Sequence, residues 1–481
     1  VKAILTSLRA APGVWIGVFL YLSVVQTVMS GMTLIAGSSR YTQANAQGGL
    51  AEDAYQMTRM MDTDQLPITI IVGVFITLWV VSAAINQQRK QLALLAMQGA
   101  TPIQLTALME LLVLVLGLTA SILSAAVAPL VAPAFFKYLL RTYSTMADSY
   151  TYHADARSWF LGVAIGLATA LIGTTLTVRS ASRVDPVEAY RSQPVTSKRP
   201  GGIRILLALA SFLGAVYVFI LPARSVHRVD LSGGKAAMKT FYEDMGTMYY
   251  SAIGGLLLLM IAFAFLAPLL YGGLVRLWTS LVPFPAAPWA LARRQTVSRI
   301  ERSSSVLAPL MVCVGLIMGM GTPIQIFSAS LLRVAGYSTP PGTTSTGMPG
   351  VIGAIGPEAV VALGGALAGF CMVSRERGFD QALLDISGAE PRQLRFMALL
   401  EGSIIMLTAM LAAFLIVIPA TACAYFDIRA ILGTAVLSIS WSLWFRMTLA
   451  VSALGSLIFL LASVRALRTP AIELLSAQAG Q

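Results

Sequence analysis

Few side chains in this sequence have the type and setting to do chemistry. Glu358 is the one carboxylate that falls within an apolar run, after Gly353, Gly356 and Pro357. A carboxylate at membrane depth is costly and commonly marks a proton, ion or substrate path. The glycines and proline before it also allow an interfacial cap, with Arg446 as partner. Glu358 is therefore a possible substrate or gating residue. Glu110 and Glu401 each stand at the polar edge of an apolar run, suited to pairing with arginines or to transmitting motion. Cys313, Cys371 and Cys423 are far apart and lie in apolar runs, which suggests neither a disulfide framework nor a metal site. His153 and His227 fall in separate polar loops, so no Ser/His/Asp or Cys/His constellation is indicated. Asp62, Asp64, Glu243 and Asp244 could serve a membrane transferase, although charged loops are normally just solvated. No catalytic residue, metal or bound cofactor is expected, and catalysis by this chain has little support.

A stronger pattern is polar and structural. Residues 89–105 interrupt two long apolar runs. Leu92, Leu95, Ala96 and Gly99 recur at helical spacing behind Arg89, Lys90 and Gln91. Gly99 suits a left-handed helix stop. Thr101, Pro102 and Gln104 spell a capping box with proline in the first turn. The spacing predicts a short amphipathic helix, a sharp glycine break and a second helix running into the membrane. The design returns 289 residues later within 377–394. There, Gly388-Ala389-Glu390-Pro391-Arg392-Gln393-Leu394 aligns without a gap on Gly99-Ala100-Thr101-Pro102-Ile103-Gln104-Leu105, with five of seven positions identical. Two copies between long apolar runs indicate an internal repeat.

The chain has 481 residues, of which 57% are hydrophobic and 11% charged. Soluble proteins carry roughly 25% charged residues, so this is an all-α polytopic membrane protein. About ten spans of the roughly 20 residues a membrane helix needs are predicted near 11–36, 66–87, 108–136, 158–178, 205–222, 250–275, 304–332, 351–373, 397–425 and 447–464. Pro309 and Pro323 predict kinks in the seventh. Residues 430–445 read as an interfacial segment with Trp441 and Trp444 at headgroup level. Lys2 and Arg9 precede a full-length apolar run, which reads as a retained helix rather than a signal peptide. Lysine and arginine concentrate on the side of the two glycine breaks, predicting cytoplasmic breaks and cytoplasmic N- and C-termini. The net charge of +12 fits that topology and contact with anionic lipids, not nucleic acid.

Each copy begins with a basic stretch, Leu8-Arg9-Ala10 or Leu291-Ala292-Arg293-Arg294. Each ends in a capped proline turn, Asp185-Pro186 or Thr469-Pro470, predicting a short surface helix. The expected organisation is a four-helix unit over 1–200, a two-helix spacer over 201–280 and a second four-helix unit over 281–481.

The Gly-Ala-x-Pro-x-Gln-Leu segment, its upstream Ala-Leu-Leu and the proline-led tail resemble the MacB/FtsX-type permeases of ABC transporters. Four plus two plus four helices is similar to their ten-helix branch, which includes the bacitracin-type peptide detoxification permeases. The resemblance implies two FtsX-like units whose polar segments are coupling helices for a separate cytoplasmic ATPase. Carried over residue by residue, the coupling set is Arg89, Lys90, Gln98, Gly99, Ala100, Thr101, Pro102 and Gln104, with Arg377, Asp380, Gly388, Ala389, Glu390, Pro391 and Gln393. Two segments imply two ATPase copies per permease chain, with ATP and Mg on the partner. The chain departs from that branch in that only about 18 residues join the seventh and eighth spans, too few for its large extracellular domain. In addition, Gln91 stands where Asp380 fits the family's acidic position, and Leu112 where Glu401 fits its glutamate. Leu231-Ser232-Gly233-Gly234-Lys235 is similar to an ABC ATPase signature, but no phosphate loop accompanies it and ATP hydrolysis by this chain is not expected. The implied function is export of an amphipathic or hydrophobic substrate, such as a peptide antibiotic, drug or lipid. A signalling or mechanotransmission permease is the alternative; a membrane transferase or ion-coupled carrier is a third reading.

Overall fold

The structure, a computed structural model, describes residues 12–181, 202–225, 228, 234–282, 287–298, 300–335, 348–386 and 388–466. The proline-led tails at 186 and 470 and the Leu231–Gly233 part of the signature-like motif lie outside these. Among the described residues there are no strands, and ten helices are long and apolar enough to cross a membrane. In hydrocarbon every backbone N–H and C=O must find a partner inside the protein, and a helix supplies these partners within its own segment.

The described chain begins with α1 (Pro12–Asn45), α2 (Gly49–Arg59), a π-helical stretch (Met60–Gln65), α3 (Leu66–Gln87), α4 (Arg89–Met97), α5 (Pro102–Tyr143) and α6 (Ala156–Ala181). Then come α7 (Gly202–Ser225), α8 (Gly234–Phe265) and α9 (Ala267–Ser280). The remaining helices are α10 (Ala287–Ser298), α11 (Ile300–Ala335), α12 (Met348–Ile386), α13 (Pro391–Leu432) and α14 (Trp441–Ala466). Helices that follow the two glycine breaks match in length. α5 and α13 each have 42 residues and share the 289-residue offset at both ends; α6 and α14 each have 26.

Three stretches differ from the sequence reading. Residues 37–65, which fall between the first two predicted spans, are mostly helical: α1 continues to Asn45, and α2 returns through the π-helical stretch directly into α3. Ionic and hydroxyl contacts hold this cap. Arg40 pairs with Asp62 at 3.6 Å. The Asp53 carboxylate accepts from Ser144 and, at 3.0 Å, from Tyr150. Burial and that carboxylate raise the Tyr150 phenol above its ordinary range. The sixth span does not run on to 275 but breaks at Leu266 before Pro268, giving α8 and α9. Trp444 is buried against Phe414, with ring centroids 5.3 Å apart, so of the two tryptophans expected at the headgroups only Trp441 is exposed.

α1 packs on α5, α6 and α12, and α3 packs on α6 and α12. α11 packs on α12 and α13, and α13 on α14. α7 and α8 pair with each other and lean on α13. α12 is thus the element that joins the copies, and its small residues permit the close approach. Gly364 faces Val24 of α1, where a Cβ would lie 2.9 Å from the valine methyl. Gly17 of α1 leaves the same clearance to the Ala368 carbonyl. Gly365 sits against Ile76 of α3 and Pro309 of α11. The glycine-rich stripe is therefore a packing surface. Gly365→Ala should overpack it and lower stability by about 1–3 kcal/mol. Gly246→Ala, with no atom near the added methyl, should not. Thermal unfolding of the two variants in the same detergent checks this.

Candidate functional site

The two polar interruptions fold into matching elbows. In the first, the Gly99 N–H donates to Ala96 O and the Ala100 N–H to Leu95 O, each at 3.0 Å. This is the paired pattern of a helix stop whose turning residue is left-handed. Gly99 has φ +96° and Gly388 φ +92°. No atom crowds either α-carbon, so backbone conformation alone calls for glycine there. The second copy repeats the crossing bond, Ala389 N–H to Leu384 O at 3.0 Å.

After each stop the chain restarts as a capped helix. Thr101 is extended, and its hydroxyl accepts from the Gln104 N–H at 3.3 Å. The Gln104 side chain accepts from the Thr101 N–H at 2.9 Å. Gln393 does the same for the Glu390 N–H at 3.3 Å. Pro102 and Pro391 occupy the first turns, where a missing N–H costs nothing. Leu105 and Leu394 are buried, fastening the restarted helices to the bundle. Outside that anchor the elbows expose apolar side chains: Leu94, Met97 and Ile103 in the first, Ile386 in the second.

The two approaches to the elbows are unequal. α4 is a separate helix beginning after Gln88, whereas α12 runs unbroken to Ile386. The backbones of Arg89, Lys90, Arg377 and Asp380 lie in these helices; their side chains lie outside the described set. Gln98 caps α4. Glu110 of α5, half-buried, accepts from Thr175 of α6 at 3.0 Å, so its described partner is a hydroxyl and not an arginine. Glu401 is buried in α13.

α3 and α12 run side by side in the same direction. Gln65 Nε2 donates to Gly353 O at 2.7 Å near their starts, and Gln87 Nε2 to Met372 O at 3.2 Å near their ends. Both elbows therefore leave the same end of the bundle. Between those bonds lies Glu358. It is fully buried, which removes the interfacial and solvated reading. Its Oε1 accepts from the Thr69 hydroxyl at 2.8 Å. Arg446, the suggested partner, is exposed and bonds its own helix at Ser442. Thr69 and Gln65 were not singled out as site residues. The signal was available: the 289-residue offset that maps Gly99 on Gly388 also maps Thr69 on Glu358.

Residues 67–186 match the family model of the FtsX-like permease C-terminal domain. The match takes in α3 to α6 with the first elbow, and it supports a permease of the FtsX/MacB type, a family that partners ABC ATPases and is typically non-catalytic. No curated protein matches the chain. Replacing Gly99 or Gly388 with alanine should cost about 1 kcal/mol at the elbow. Thr101→Ala should cost about 1 kcal/mol by loss of the cap. Faster amide hydrogen exchange at 95–105 or 384–394, with the bundle helices unchanged, is the expected readout.

Proposed function

We propose that this chain is the membrane subunit of a bacterial ABC exporter, in which the two elbows receive a push from cytoplasmic ATPases. The observation that carries the reading is the pair of elbows. They share one stop-and-cap design, sit at one end of the bundle and expose Met97, Ile103 and Ile386 beyond their anchors. A lone glycine turn joining two spans needs no such exposed apolar surface. Because each elbow is rigidly continuous with a long bundle helix, a displacement applied there moves α5 or α13 as a lever.

On this reading the elbows face the cytoplasm, as do both termini. One chain docks two ATPase copies, which hold the ATP and Mg. The units 1–200 and 281–481 then move against each other, with 201–280 as spacer. The unequal approaches, separate α4 against continuous α12, make the two docking sites non-identical. The substrate class that fits is amphipathic or hydrophobic, a peptide antibiotic, drug or lipid taken from the bilayer, because only a short connection joins α11 to α12. A subunit that signals or transmits force without moving substrate is the second reading.

The test is co-purification of the tagged chain with cytoplasmic proteins, beside a Gly99→Pro, Gly388→Pro double variant. Proline cannot take the positive φ of either glycine. An ABC ATPase at about two copies per chain with the wild type, lost in the variant, is the expected result. Its absence under gentle extraction would sink the coupling reading. ATP-driven uptake of substrate into inverted vesicles then separates export from signalling.

A further inference from the structure

The Thr69–Glu358 bond joins residues that are 289 positions apart, the repeat offset itself. Ile76 and Gly365, in contact two turns further on, are equivalent to each other by the same offset. Two related units touch at equivalent residues only where the axis relating them passes between the residues. α3 and α12 are therefore the seam on the internal pseudo-two-fold axis. The seven-residue step between the two contacts is the spacing at which parallel helices meet repeatedly along one seam. Glu358 lies on this axis, about 15 Å along α12 from its first residue.

Its surroundings do not suit a carboxylate ion. Glu358 and Gln65 are both buried, and Glu358 Oε2 and Gln65 Oε1 each lack any hydrogen-bond donor. Gln65 stands one turn before Thr69 on α3, so both side chains address the same face of α12. Among the described residues, the titratable groups nearby are Tyr249 of α8, which feels the charge of Glu358, and around that tyrosine Tyr143 of α5, Asp64 of the π-helical stretch and Tyr250. None is a cation. Among the described residues, α1, α11, α13 and α14 set no charged side chain against Glu358. A buried carboxylate with one neutral hydrogen bond and no cation costs several kcal/mol more than its neutral form. The π-helical stretch ends at Gln65 itself, and such local rewinding is frequent at functional positions.

We infer that Glu358 is a proton-binding site on the seam, filled while α3 and α12 are packed together and emptied when they part. The proton adds to Oε2, turning one of two unsatisfied acceptors into a donor while Thr69 keeps Oε1. When the seam opens, water hydrates the carboxylate and takes the proton. Separation of the two copies is thereby linked to proton release, and an acidic medium on the side that reaches the seam favours the closed state. The inference rests on the seam geometry and does not require the ATPase reading.

Unfolding of the purified full chain in detergent, followed across a pH series for wild type and Glu358→Gln, tests it. Glutamine keeps the shape and donor of the neutral carboxyl. The packed state holds one more proton than the unfolded chain, so the wild-type midpoint should fall as pH rises. The variant should lose that part of the slope. Identical slopes would overturn the inference, as would a wild-type midpoint that follows sodium concentration at fixed pH. Should Glu358→Gln not fold, the wild type is treated with an apolar carbodiimide, which adds to protonated carboxyls, and the adducts are mapped by mass spectrometry. A Glu358 adduct whose yield falls with alkalinity is expected. No adduct on Glu358, or a pH-independent one, refutes the site.

Discussion

The close parallel approach of α3 and α12 is the contact on which the arrangement of the two copies depends. Helices in lipid gain nothing from hiding apolar surface from one another, because the lipid is as apolar as they are. They must instead fit closely. Gly364 and Gly365 remove side chains where Val24 and Ile76 come in, and this lets α12 touch both α1 and α3. With the seam set, the directions of the flanking helices follow, and both elbows emerge at one end. A bulkier α12 would leave the same ten spans without a common axis.

The seam and the elbows complement each other mechanically. The elbows are stiff because every hydrogen bond at the helix stop is made locally and Leu105 and Leu394 are held in the bundle. The seam is tight at Gly365 and polar at Glu358. The FtsX-like domain at 67–186 spans one elbow and one side of the seam, so it contains a half of each device. The two copies are not mirror uses of one design: Thr69 faces Glu358, and a separate α4 faces a continuous α12. A single chain allows this, since its two halves are free to carry different residues at equivalent positions. Two identical subunits would set two carboxylates, or two hydroxyls, against each other on the axis.

Much of this was legible in the sequence, and for local reasons. Twenty apolar residues in a row specify a membrane helix whatever surrounds them. Thr101-Pro102-x-Gln104 specifies a helix start within four residues, and Gly99 a stop within one. The ten spans and the elbow backbone followed from such signals. Where the signal was weaker the reading went astray: 37–65 is polar enough to pass for a loop, yet it forms helices because Arg40, Asp53 and Asp62 find partners across the cap.

Partnership between distant residues was decided by tertiary structure alone. The run Gly353-Ala354-Ile355-Gly356-Pro357-Glu358 reads equally as an interfacial cap or as a buried helix, because burial depends on which helix lies opposite. The fold put α3 there, with Thr69 in reach of one oxygen and nothing in reach of the other. The sequence by itself determined which segments are helices, where they stop and that the pattern occurs twice, since those properties arise from interactions within a few residues. Which helices of the two copies meet, in which direction and at which pair of side chains, depends on packing between segments nearly 300 residues apart, and only the tertiary structure decided it.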